Sequence, residues 1–184
     1  SDIKAVNKVL KSKSLTNGKE VDHFEKSINK YFGCKGSAVV SSGTAALHLA
    51  GIILGWNKND IILTVPNTFV ATVNSIIYSG ATPDLVDINP KTFSIDLNLL
   101  EQKLRNYKKN RKKIKSVIAV DYAGYPCDWK ELKFLSQKYH FNLVNDNCHA
   151  IGSKFNNRVD YASKYADIVT HSYHPVKNIT TGEG

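Results

Sequence analysis

The chain has 184 residues, of which 42% are hydrophobic, 10% aromatic and 22% charged, with a formal net charge of +9. That size supports an ordinary domain with a packed core, and the composition excludes a collagen repeat, a disordered tail and a disulfide scaffold. No run approaches the roughly 18 uninterrupted apolar residues of a membrane-spanning helix.

SDIKAVNKVL, at the start, lacks the long apolar core of a secretory signal. Cys34, Cys127 and Cys148 are odd in number and widely spaced. They read as reduced thiols of a cytoplasmic protein, neither bridged nor holding a metal. The positive charge is densest from Lys108 to Lys115. With Tyr107 the one interleaved aromatic and no nucleic-acid motif around it, this stretch reads as a solvated connection. Neither nucleic acid nor a membrane is expected as a partner.

In chain order, Val21, Phe24, Ile28 and Phe32 fall on one face of a helix that Gly33 ends. Ala38 to Val40 reads as a strand, and 44–54 as a helix apolar nearly all round and therefore buried. Ile61 to Val65 reads as a strand. Phe69, Val70, Val73, Ile76 and Ile77 form a helical stripe closed by Gly80. Leu85-Val86 is a strand leading to the turn Asn89-Pro90, and Asp96 caps a helix with Leu97, Leu100 and Leu104 inward. Val117 to Val120 is a strand. Asp128 and Glu131 have capping-box spacing before a helix with Leu132, Leu135 and Tyr139. Phe141 to Val144 and Ile168-Val169 complete the strands. There is no internal repeat and no linker. This alternation predicts an α/β fold with a mostly parallel sheet, whose ligands gather at the carboxyl ends of the strands.

Three clusters follow strands. Ser41-Ser42-Gly43-Thr44-Ala45-Ala46 joins a strand to a helix through small residues. Its free backbone N–H groups and hydroxyls suit a phosphate, although an ordinary capped helix start looks the same. Asp146 follows FNLV, where it could partner a cationic ring nitrogen or serve as a turn aspartate. Lys177, within HPVKN, follows the last strand. Together, a phosphate-binding helix start, an acid for a pyridinium and a later lysine are what pyridoxal 5′-phosphate (PLP) requires.

The strings VDHFEKSINKYFG, SSGTAALHLA, PNTFVATVNSIIYSGATPDLVDINPKTF, DYAGYPCD, DNCHAIGS and SYHPVKNITTGEG resemble the DegT/DnrJ/EryC1/StrS sugar aminotransferases of PLP fold type I. The resemblance implies a three-layer αβα architecture, the large domain of the aspartate aminotransferase-like fold. Residues 1–184 would be the N-terminal part of that PLP-binding domain, with the smaller C-terminal domain outside the chain. The missing initial methionine and the TTGEG ending fit that expectation. By resemblance Lys177 holds the cofactor covalently and acts as acid and base, and Asp146 pairs with its ring nitrogen. Gly43 and Thr44 hold its phosphate with the Ser172 hydroxyl. Phe69 stacks on the ring, or else is a core residue of its stripe. His149 lies near the cofactor's 3′-oxygen, or else is a polar turn residue.

Cys148 stands where the family has a small residue beneath the ring, and is expected to be tolerated without acting as a nucleophile. His171 replaces an apolar aromatic, and the sequence offers no role for it. Tyr173 replaces a common phenylalanine, and His174 is expected to help position the HPVK segment. VDINPKTFSID, YAGYPCDWKEL and HPVKNITTGEG narrow the likeness to enzymes of pseudaminic acid biosynthesis. The implied reaction moves an amino group from glutamate to a UDP-linked 4-keto-6-deoxy sugar, in a cytoplasmic homodimer. Relatives that dehydrate sugars carry histidine at the position of Lys177, and a regulator on this fold would be expected to lose Asp146 or Lys177.

Overall fold

Five short strands, β1 (Ile61–Thr64), β2 (Thr82–Leu85), β3 (Ile114–Val120), β4 (Asn142–Asp146) and β5 (Ile168–Thr170), pair in the order β2-β1-β3-β4-β5. Every pairing is parallel. The computed structural model describes residues 1–184, which form two compact units, Ser1–Val39 and Val40–Gly184. The first unit holds α1 (Asp2–Leu10) and α2 (Lys19–Phe32), the latter ended by Gly33 in the left-handed conformation (φ 60°). The second holds the sheet with α3 (Gly43–Ile53), α4 (Val70–Tyr78), α5 (Leu97–Lys109), α6 (Trp129–Tyr139) and the short α7 (Tyr161–Tyr165).

A parallel sheet of this kind must be covered on both faces, and its inner strands β1, β3 and β4 are accordingly buried along most of their length, unlike the edge strand β2. Ile62, Ile118 and Val144 pack with Leu47 and Ala50 of α3 and Ala71 and Ile76 of α4. Leu63, Val117, Ala119 and Leu143 pack on the other side with Leu100, Leu104, Trp129, Leu132 and Tyr161. The three-layer arrangement expected from the sequence is thus present. The caps are as read: Asp96 accepts from the N–H groups of Asn98 and Leu99, and Asp128 from that of Glu131.

Four expectations need correction. Ala38 to Val40 forms no strand. An apolar triplet becomes one only beside a backbone that can pair with it, and the Val39 N–H instead donates to the Glu25 carboxylate at 2.9 Å. The 44–54 helix is not buried all round, since Leu49, Ile52 and Ile53 of α3 are exposed. The stripe assigned to α4 holds only in part: Ile76 is buried and Val73 half-buried, but Phe69, Val70 and Ile77 are exposed, and Ala71, Thr72 and Ser75 complete the inward face. Small residues there let α4 approach α3 and the sheet. Finally, the basic stretch spans the end of α5, a turn and the start of β3, although Lys108 to Lys113 is exposed as expected.

Gly51 shows how close that approach is. A Cβ at this position would lie 2.5 Å from the Trp56 ring, which is itself fixed by its Nε1–H donating to Ser116 Oγ at 2.8 Å. Gly51→Ala is therefore expected to destabilise the fold by about 1–3 kcal/mol in urea denaturation, the usual cost of overpacking.

Candidate active site

The polar clusters converge where the strands end. Asp146 is the last residue of β4 and is buried. Strand alternation directs its side chain to the α3/α4 face, alongside Val144. There Asp146 Oδ2 accepts a hydrogen bond from Thr72 Oγ1 at 2.7 Å, and Oδ1 accepts from the Cys148 N–H at 3.2 Å. Thr72 Oγ1 also lies 2.7 Å from Thr68 Oγ1. A hydroxyl has one proton to give, so with Thr72 donating to Asp146 the Thr68 hydroxyl donates to Thr72. The carboxylate is thereby oriented by a two-residue relay along the start of α4.

Gly43 opens α3, with Ser42 Oγ accepting from the Ala45 N–H at 3.1 Å. The first N–H groups of a helix have no partner within it and present partial positive charge. A Cβ on Gly43 would come within 3.0 Å of Ser172 Cβ, 3.2 Å of Cys148 Sγ and 3.3 Å of the His171 carbonyl oxygen. A side chain here would crowd all three, so the helix start, the residue after Asn147 and the residues after β5 share one small space. Thr44 follows within that helix start, and Ser172 is buried, its Oγ accepting from the His174 N–H.

Lys177 is partly buried in the turn after β5, its N–H bonded to the His174 carbonyl at 2.9 Å. Its charge reaches both Cys148 and His149. Burial, with the Lys177 charge added, lowers the His149 pKa against the pull of Asp146, so the imidazole is neutral near pH 7. The His149 ring meets Tyr122 edge-on at 6.0 Å. Burial first, and the Asp146 charge second, push the Cys148 thiol up. A thiol so held is a filler and not a nucleophile. Phe69 is 67% exposed at the start of α4, three residues before Thr72, and is not a core residue.

The structure therefore gathers Gly43, Asp146, Cys148, Ser172 and Lys177, with His149 beside them and Phe69 exposed. Thr72 and Thr68 escaped sequence reading, because hydroxyls in an apolar helical stripe look like interruptions. Burial holds the His171 imidazole down at about 4. The sign follows from linkage: an unfolded chain takes up a proton near pH 6.5 that the folded one refuses until about 4, so stability falls as pH drops between them. His171→Phe is expected to flatten that fall, measured by urea denaturation at pH 7 and pH 5.

Comparison with known proteins decides the family. Residues 1–184 match the DegT/DnrJ/EryC1/StrS aminotransferase family throughout. The chain belongs to this family. It is 41% identical, over its whole length and 47% of the relative's, to a Campylobacter jejuni UDP-4-amino-4,6-dideoxy-N-acetyl-beta-L-altrosamine transaminase. Among solved structures it resembles a Helicobacter pylori aminotransferase involved in the biosynthesis of pseudoaminic acid (TM-score 0.85, 32% identity). That match covers 99% of this chain and 47% of the other. A Streptococcus pneumoniae protein in its PLP-form superposes with a TM-score of 0.88 at 29% identity, covering 100% of this chain and 48% of that one. The chain spans about half the length of the curated relatives it matches. The DegT/DnrJ/EryC1/StrS likeness extends over both compact units of the chain.

Proposed function

We propose that this segment is the N-terminal part of the cofactor-binding domain of a PLP-dependent aminotransferase acting on a nucleotide-linked 4-keto-6-deoxy sugar. The observation that carries the reading is the oriented, buried Asp146 carboxylate meeting the glycine-lined start of α3 and the Lys177 turn. The donor set fits the cofactor. Gly43 and Thr44 would hold its phosphate through their N–H groups, with Ser172 adding a hydroxyl, and Asp146 would keep a proton on its ring nitrogen. Bound there, PLP supplies an electron sink for carbon–nitrogen chemistry. Lys177 Nζ would hold the cofactor and then, released, carry a proton between reacting atoms as base and acid. Phe69 would cover one ring face, and the neutral His149 would face the 3′-oxygen without adding charge.

In this reading the amino donor is glutamate and the acceptor a UDP-linked sugar, the latter supported by the name of the Campylobacter jejuni relative. A lysine at position 177 favours amination over dehydration of the sugar. The exposed apolar residues of α3 and α4 (Leu49, Ile52, Ile53, Val70, Ile77) support a homodimer. The test offers the full-length protein glutamate with UDP-, dTDP- and GDP-linked 4-keto sugars and follows 2-oxoglutarate. Turnover confined to the UDP sugar is expected. Turnover confined to another nucleotide would refute the substrate, and none with any sugar would refute the reaction.

A further inference from the structure

Asp121 follows β3 and is fully buried. No lysine or arginine bonds to it. Its charge is met by five neutral donors. Oδ1 accepts from the Cys127 N–H at 2.8 Å and from Trp129 Nε1 at 3.0 Å. Oδ2 accepts from Tyr161 Oη at 2.8 Å, Asn147 Nδ2 at 2.9 Å and Asn145 Nδ2 at 3.1 Å. Asn145 and Asn147 are the two neighbours of Asp146. Both turn their amide hydrogens to Asp121, and both leave a buried Oδ1 with no hydrogen-bond partner. Such orphaned acceptors cost stability, so a fold tolerates them where another demand sets the side-chain orientation.

The backbone is tied at the same place. The Asp121 N–H donates to the Asp146 carbonyl at 3.1 Å, and the Asn147 N–H to the Thr170 carbonyl at 2.9 Å. The end of β4 is thus clamped from the α6/α7 side by Asp121, while the Asp146 side chain is oriented from the α3/α4 side by Thr72. We propose that Asp121 is a positioning residue of the cofactor site: by holding the amides of Asn145 and Asn147 it fixes the backbone from which Asp146 reaches the ring nitrogen. This inference rests on the proposed PLP site.

The experiment measures PLP affinity and the visible absorbance band of the full-length protein, together with the melting temperature of the cofactor-free form. Asp121→Asn turns an amide toward the donors of Asn145 and Asn147. Tyr161→Phe removes a single donor and tests the same clamp if Asp121→Asn fails to fold. Leu104→Ala, in the α5 core and making no hydrogen bond in the clamp, serves as a variant destabilised by lost packing with every donor to Asp121 kept. Both clamp variants are expected to weaken PLP binding by roughly tenfold or more, the worth of one hydrogen bond to a buried charge, and to shift the band. Leu104→Ala is expected to lower the melting temperature while leaving affinity and band in place. Clamp variants that only lose melting temperature, as Leu104→Ala does, overturn the inference while sparing the cofactor site. A wild-type protein that binds no PLP overturns both.

Discussion

Lys177→Ala in the full-length protein is expected to lower kcat by about 10⁴-fold or more, because in the proposed reaction one amine serves both as cofactor anchor and as proton carrier. The fold should hardly notice. Lys177 is only partly buried, and the bond its backbone N–H makes to His174 survives the substitution. Unfolding free energy is expected to change by no more than about 0.5 kcal/mol. Lys177→Arg separates charge from chemistry. A guanidinium preserves the positive field on Cys148 and His149 but cannot give up its proton near neutrality. It is expected to be as inactive as the alanine variant in steady-state kinetics. Activity in the arginine variant would assign the residue to electrostatics alone.

Asp146→Asn carries the second large effect. The carboxylate now accepts from Thr72 Oγ1 on one oxygen and from the Cys148 N–H on the other. An amide offers a single acceptor oxygen, so one of these donors would face an NH₂ group. The Thr72 oxygen can accept from that NH₂, but its own proton then loses its acceptor, or turns to Thr68 Oγ1 and displaces the proton donated from there. The negative charge that would keep the ring nitrogen protonated is lost in either case. A fall in kcat of about 10²- to 10⁴-fold is expected, with weaker PLP binding. The rearranged relay should cost about 1–3 kcal/mol of stability, read from denaturation of the cofactor-free form. Full activity with intact binding would remove Asp146 from the site.

The frame of this molecule is legible in its sequence because its signals are local. Gly33 ends α2 with a positive φ, Asp96 and Asp128 cap the helices they precede, and apolar runs mark β1, β3, β4 and β5, whereas β2, Thr82-Pro83-Asp84-Leu85, shares only Leu85 with the strand read from the sequence. Asp146 and Lys177 stand out because each comes at or after an apolar run at the expected end of a strand, and Gly43 because small hydroxyl residues flank it where a helix starts. Interactions distant along the chain left no such trace. Thr72 bonds to a residue 74 positions later, and Asp121 to partners 24, 26 and 40 positions later. Both residues are chosen by an oxygen or an amide that only folding brings near. The same reason explains why only part of the α4 stripe faces inward. Apolarity alone points Phe69, Val70 and Ile77 inward, yet the buried face must pass close to α3 and supply a hydroxyl to Asp146, which Ala71, Thr72 and Ser75 do. Helix α7 has five residues, too few to show a period.

The central claim is that Lys177 is the residue that takes the cofactor covalently. The direct measurement is reduction of the PLP-loaded full-length protein with borohydride, followed by digestion and peptide mapping. The expected result is a phosphopyridoxyl group on the peptide HPVKNITTGEG, at Lys177. A label on any other lysine, or no label at all, would contradict it.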